Sequence, residues 1–200
     1  QLIDSRPPGP IYVDFASPSM EYRRKGGQNE LLGRAVGVKQ GQFPQVFDAT
    51  AGLGRDGFVL ADLGCSVILA ERSKVLVCLL QEAVAAAAIS RSEHVRQAAN
   101  RLSVRAGNST DMTVAEGTVI YLDPMFTDRK GSAAVKKDLA VLQALHRTSA
   151  DGADQLMNWA LAQPASRIVV KRPAKSPALG PRTPSHALSG KAVRFDVYVL

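Results

Sequence analysis

The chain reads as an α/β fold built on a mostly parallel β-sheet, and three observations point there. Short β-branched runs of unbroken hydrophobicity recur along the sequence, helical patterns fill the intervals between them, and no internal repeat or linker interrupts the alternation. Unbroken apolar runs suit strands buried on both faces, and strands alternating with helices imply right-handed crossovers. A ligand site is then expected at the carboxyl ends of the strands.

Taken in order, "IYVDF" (residues 11–15) reads as a short strand. With the basic stretch "YRRKGG" (22–27) it makes an N-terminal segment, residues 1–40, packed on a main domain over 41–200. "QVFDA" (45–49) is the first strand of that domain, and "GFVLADLG" (57–64) is helical. "SVILAE" (66–71) is the next strand, followed by the helix "KVLVCLLQEAVAAAAIS" (74–90), whose alanine run reflects helix propensity. "TVIYLD" (118–123) and "RIVVKR" (167–172) are further buried strands. Between them "AAVKKDLAVLQALH" (133–146) places Val135, Leu139, Leu142 and Leu145 on one helical face. After the proline-rich "SPALGPRTPS" (176–185), "RFDVYVL" (194–200) reads as a late strand, antiparallel, at one side of the sheet.

Composition narrows the function classes. Two hundred residues, 46% hydrophobic, suffice for one sizeable core, while no apolar run approaches the roughly 20 residues of a membrane span. Cys65 and Cys78 form neither a disulfide framework nor a metal spacing, and His94, His146 and His186 are scattered, so no metal is expected. The absence of a basic-then-apolar leader agrees with a reducing, cytoplasmic setting. A net charge of +7 suggests a polyanionic partner, nucleic acid above all. The excess sits in "YRRKGG", "DRKGSAAVKK" (128–137) and "VVKRPAK" (169–175), which makes Arg23, Arg24, Lys25, Arg129, Lys171 and Arg172 the candidate RNA-binding residues.

The segment "VFDATAGLGRDGFVLADLGCSVILAER" (46–72) places Gly52, Gly54 and Gly57 in a G-x-G-x-x-G pattern after a strand. A dinucleotide loop receives a pyrophosphate at a helix N-terminus, and Asp56 between the second and third glycines would repel it. A Walker loop would need G-K-[ST], which is missing. S-adenosylmethionine carries an ammonium and a sulfonium and no phosphate, so carboxylates beside the loop favour it, while Arg55 suits its carboxylate. Asp48 ends the first strand ahead of the loop, as in the acid-then-glycine pattern of class I methyltransferases, with Thr50 where many members have glycine. Glu71 closes the second strand, in place to accept ribose hydroxyls, and "GNS" (107–109) falls where a third strand meets the adenine. Alone, Glu71 would read as a solvated strand-end acid; in register with the other elements it reads as a ligand-binding one.

Residues 119–128, "VIYLDPMFTD", bring Asp123, Pro124 and Phe126 to the end of a strand. This resembles the [DN]-P-P-[YF] signature of methyltransferases that act on exocyclic amines. An aromatic amine is a weak nucleophile, because its lone pair is delocalised into the ring. A catalyst must therefore grip its N–H groups with acceptors and aim the lone pair at the methyl donor. Asp123 and the Pro124 carbonyl supply acceptors, and Phe126 is placed to stack on an unstacked base.

Together, "FDATAGLGRDGFVLADLGC", "LAER", "YLDPMF", "VKK" and "VVKRP...RFDVY" resemble the bacterial ribosomal RNA small subunit methyltransferase J family over about residues 11–200. The resemblance implies a class I S-adenosylmethionine-dependent, Rossmann-like fold, with residues 41–200 as the methyltransferase domain. It implies methylation of a guanosine N2 amine in 16S ribosomal RNA, in ribosome biogenesis. It further implies that Arg55, Asp56, Glu71, Arg72, Asn108, Ser109 and Asp123 contact S-adenosylmethionine, with Asp48, Gly52 and Gly54 framing the site. Thr127 departs from the proline expected after "DPMF", and an N-terminal portion of the family pattern is missing. The residues alone leave open an amine on another RNA, on DNA or on a protein glutamine, or a basic RNA-binding module without chemistry. A ribosomal RNA or small-subunit partner, no membrane and a monomer are the expectations.

Overall fold

The computed structural model describes residues 12–24, 28–124 and 150–200. Its centre is a seven-stranded sheet in the order β3-β2-β1-β4-β5-β7-β6. Strands β1 (Gln45–Asp48), β2 (Ser66–Glu71), β3 (Leu102–Ala106), β4 (Val119–Leu122) and β5 (Arg167–Pro173) are mutually parallel. Strand β7 (Val193–Val199) runs antiparallel to β5, and β6 (His186–Ser189) pairs antiparallel with β7 at the edge. The helices among the described residues are α1 (Pro18–Arg24), α2 (Gln28–Val36), α3 (Arg55–Asp62), α4 (Lys74–Ala88), α5 (Glu93–Ala99) and α6 (Ala150–Leu161).

The unbroken apolar strands are explained by burial on both faces. Successive side chains alternate between two cores: Val46, Val119, Tyr121 and Val169 enter one, while Phe47, Ile120, Leu122, Ile168 and Val170 enter the other. The first core takes α3 through Phe58 and Leu60 and α4 through Leu80; the second takes α6 through Met157 and Ala160.

Expected and observed elements coincide in β1, β2, β4 and β5 and in α3 and α4, with boundaries shifted by a residue or two, while β3 is a strand implied in the sequence only by the position of "GNS". The N-terminal strand is corrected. Among the described residues Tyr12–Asp14 pairs with no strand, and Phe15 opens a turn. Asp14 bends the chain here, its Oδ1 accepting from the Ala16 N–H at 2.8 Å and its carbonyl from Ser17 Oγ at 2.8 Å. Phe15 instead stacks on Phe58, ring centroids 4.5 Å apart, so α1 and α2 pack on the same layer as α3. The late strand is antiparallel as expected, but β6 lies outside it, between the proline-rich stretch and residue 194, where no strand is expected. Its residues are mostly exposed, so no hydrophobic period marks it. The helix expected over 133–146 lies outside the described residues.

The glycines of the first loop have steric duties. Gly54 adopts φ 68° as the residue preceding α3, and an added Cβ would stand 2.7 Å from Leu80 Cδ2 and 3.1 Å from Phe15 Cζ. At Gly57 it would meet Leu69 Cδ2 at 2.3 Å, so this glycine lets α3 lie directly on β2. Gly54→Ala therefore combines left-handed backbone strain with overpacking. The expected loss of folding stability is roughly 2–4 kcal/mol, read as a lower denaturant midpoint at unchanged slope; an unchanged midpoint would contradict this account.

Candidate active site

Strand β1 ends at Asp48, and the chain turns through Ala49–Gly54 into α3 at the carboxyl edge of the sheet. Glu71, at the end of neighbouring β2, ties that turn down. Its Oε2 accepts from the Gly52 N–H at 3.0 Å and its Oε1 from the Ser73 N–H at 2.7 Å. Gly52 meets Glu71 with φ 56°, a conformation that favours glycine. Ser109 Oγ donates to the Ala49 carbonyl at 2.5 Å and fixes the turn after β3 against the same loop. Thr50, the departure from glycine, has three contacts here, one of them from its Oγ1 to Asp48 Oδ1 at 3.5 Å. Its N–H donates to Asp48 Oδ1 at 3.1 Å, and its Oγ1 accepts from the Asp123 N–H at 2.7 Å, so the first loop holds the backbone that follows β4.

These contacts enclose a cleft of about 160 Å³. Its walls are Ala49, Thr50 and Gly52 of the loop, Ala70, Glu71 and Arg72 after β2, and Asn108, Ser109 and Thr110 after β3. Asp123 and Pro124 follow β4, and Gly152, Ala153, Gln155 and Leu156 of α6 complete the lining. Of the residues singled out in the sequence, Gly52, Glu71, Arg72, Asn108, Ser109, Asp123 and Pro124 thus share one cleft. The contribution of α6 was not legible, because no sequence motif marks it. Lys25, Phe126 and Arg129 lie outside the described residues.

Several expected contacts are redirected. Asp48 is buried beneath the loop rather than on the cleft, and burial pushes its carboxyl up to about 8. Gly54 is taken up by packing under α3, and Arg55 lines a separate hollow with Tyr12, Asp14 and Phe15. Asp56 turns inward: its Oδ1 accepts from Arg23 Nη2, and its Oδ2 accepts from Tyr121 Oη at 2.8 Å and Lys171 Nζ at 2.6 Å. Burial alone would raise this carboxyl, but Lys171 and Arg23 outweigh it and hold it well below the usual carboxylate range. Lys171 also donates to Asp123 Oδ2 at 2.7 Å. Burial would lower its ammonium; Asp56 and Asp123 prevail and raise it. Burial, then the Asp56 charge, pushes the Tyr121 hydroxyl well above its ordinary value, so it stays a neutral donor.

The basic residues expected to face phosphates are likewise engaged within the fold. Arg23 and Lys171 belong to the network just described, and Arg24 Nε donates to Asp62 Oδ2 at 2.9 Å. Arg172 is buried and donates through Nε to the Pro177 carbonyl at 2.9 Å. Lys171 and Arg172 alternate along β5, and both sides of that strand are covered, which is why neither reaches solvent as a basic strand end would. Two buried polar groups, Tyr121 and Lys171, carried a signal within otherwise apolar strands: each requires a partner.

A family model described as "Putative SAM-dependent methyltransferase" matches residues 1–200. The ribosomal RNA small subunit methyltransferase J of Thioalkalivibrio sulfidiphilus is 46% identical over 199 residues, covering 96% of this chain and 77% of that protein. The protein of the same name from Aeromonas hydrophila is 45% identical over 199 residues, covering 96% and 79%. The chain belongs to the ribosomal RNA small subunit methyltransferase J family. A crystal structure of a SAM-dependent methyltransferase from Neisseria gonorrhoeae superposes with a TM-score of 0.75 at 32% identity, covering all of this chain and 77% of that one. The fold is that of the class I S-adenosylmethionine-dependent methyltransferases, and the enzyme uses that cofactor.

The cleft of this methyltransferase suits the cofactor's chemistry. Ala49, Gly52 and Ala70 keep side chains out of it, and Glu71 and Asp123 put carboxylates on its walls for a cationic ligand. Among the described residues no cluster could hold a metal ion, and no helix is long and apolar enough to cross a membrane.

Burial of Asp48 makes stability pH-dependent with a defined sign. In the unfolded chain this carboxyl titrates near 4, whereas in the fold it keeps its proton up to about 8. Its contribution is fully present below about pH 4 and is lost as pH rises toward 8. Urea unfolding at a series of pH values should show stability declining over this interval, and Asp48→Asn, which retains an oxygen for the Thr50 N–H, should flatten the decline. An identical slope in the variant would show that Asp48 is already ionised in the fold.

Proposed function

We propose that the enzyme methylates the exocyclic N2 amine of a guanosine in small-subunit (16S) ribosomal RNA, in the bacterial cytoplasm. The observation that carries the reading is the placement of Asp123 and Pro124. They leave the fully buried strand β4 onto the wall of the cleft, with the Asp123 backbone held by Thr50 and its carboxylate by Lys171. The names of the relatives, which specify ribosomal RNA of the small subunit, support the substrate class.

Glu71, Asn108 and Ser109 would hold the nucleoside half of S-adenosylmethionine, and Gly52 gives its backbone room beside them. The cofactor supplies an electrophilic methyl group on a sulfonium. The Asp123 carboxylate and the Pro124 carbonyl accept from the guanine amine and direct its lone pair into the cleft. As the nitrogen becomes alkylated it sheds a proton, and Asp123 or water takes it. Phe126, next but one to Pro124, supplies the stacking face for the flipped base.

With Arg23, Arg24, Lys171 and Arg172 engaged within the fold, phosphate contacts fall to the exposed Lys74 and Lys175. They follow the carboxyl ends of β2 and β5, the edge on which the cleft opens. Substitution at Lys74 or Lys175 should reduce the salt dependence of RNA binding without altering cofactor affinity.

Single-turnover transfer of labelled methyl groups to ribosomal RNA and subunits from cells lacking the enzyme, followed by nucleoside mapping, tests the assignment. Label in N2-methylguanosine is expected; label in another nucleoside or in protein would replace the substrate. Asp123→Ala should remove most transfer at saturating cofactor. Phe126→Ala should leave S-adenosylhomocysteine binding intact and slow transfer by an amount on the order of 1–3 kcal/mol, one base–aromatic stack. Glu71→Ala should weaken S-adenosylhomocysteine binding by roughly 1–3 kcal/mol in calorimetry.

A further inference from the structure

A carboxylate that must present its oxygens to a small amine needs both its backbone and its torsions fixed. Thr50 fixes the backbone of Asp123. The torsions are fixed from β5. In the parallel register Leu122 of β4 lies opposite Val170, so Lys171 comes abreast of Asp123, and its Nζ reaches Asp123 Oδ2 at 2.7 Å. A lysine side chain is flexible and does not by itself define a direction. Here a second carboxylate supplies one: Asp56 Oδ2 accepts from the same ammonium at 2.6 Å, and Asp56 is gripped by Tyr121 Oη and by Arg23 of α1. The Lys171 side chain is only 12% exposed, so bulk water competes little for its protons.

We propose that Lys171 is a positioning residue for methyl transfer, setting the direction of the Asp123 carboxylate, with Asp56 and Arg23 holding Lys171 in turn. The inference rests on Asp123 gripping the target amine. It removes Lys171 and Arg23 from the RNA surface and makes them part of the scaffold behind the reacting atoms. The N-terminal helix α1 then contributes to catalysis through an internal ion network, without touching substrate.

A double-mutant cycle on single-turnover rate, at saturating cofactor and ribosomal RNA, separates positioning from general structural support. Lys171→Met and Asp123→Asn should each slow transfer between about tenfold and a hundredfold, and the double variant should be no slower than Asp123→Asn alone, because Lys171 acts only through Asp123. Lys171→Arg, which retains a cationic donor, should recover part of the rate. S-adenosylhomocysteine affinity of Lys171→Met should remain near that of the parent in calorimetry. If folded Lys171→Met transfers at the parent rate while Asp123→Asn is slow, or if the two losses multiply, the positioning role is overturned and the Asp123 reading stands. If Asp123→Asn itself transfers normally, the Asp123 reading falls. Should Lys171→Met fail to fold, the cycle is run with Lys171→Gln, where a parent rate would again overturn the proposal.

Discussion

The Lys171 ammonium, shared between Asp56 and Asp123, is the interaction on which the arrangement at the carboxyl edge depends. It joins the first helix after the glycine loop to the strand end that carries Asp123, and through Asp56 it reaches Arg23 on α1. Charges this well buried are tolerated only when paired and hydrogen-bonded, and removing one partner from such a set costs about 3–5 kcal/mol. The network is therefore a weak source of net stability and a strong source of specificity: few alternative packings of α1, α3 and β5 leave its carboxylates and cations matched.

Glu71 plays the corresponding part on the other side of the cleft. Both its oxygens accept backbone N–H groups, from Gly52 and from Ser73, so the acid is oriented before any ligand arrives. Thr50 links the two halves by holding the Asp123 backbone. Glu71 and Asp123 are thus braced against one loop, whose path is set by Gly52 and Gly54 in left-handed conformations and by the close seat of Gly57 on Leu69.

Charge near the glycine loop pointed to the right cofactor through partly different residues. Asp56, which spoke against a pyrophosphate, is neutralised by Arg23 and Lys171, and Asp48 is protonated by burial until about pH 8. The carboxylates on the cleft are Glu71 and Asp123. Similarly, the basic character of the chain points to a polyanion, yet four of its most suggestive cations are spent inside the fold, on Asp56, Asp62, Asp123 and the Pro177 carbonyl.

What the sequence determined by itself is the part governed by local rules. Unbroken β-branched runs gave β1, β2, β4 and β5, the glycine spacing gave the loop, and "DP" at a strand end gave an acid on the cleft wall, because strand period, backbone freedom and strand-end position are all written within a few neighbouring residues. Tertiary structure decided what depends on residues distant in the chain. It set Lys171 beside Asp123 through the register of β4 and β5, turned Asp56 away from the cleft, and brought α6 into its lining. It also replaced the N-terminal strand by a turn, in which Phe15 stacks on Phe58. The sign of a charge is legible in a sequence, whereas its partner is chosen by a Coulomb interaction that acts only once folding has removed the water between them.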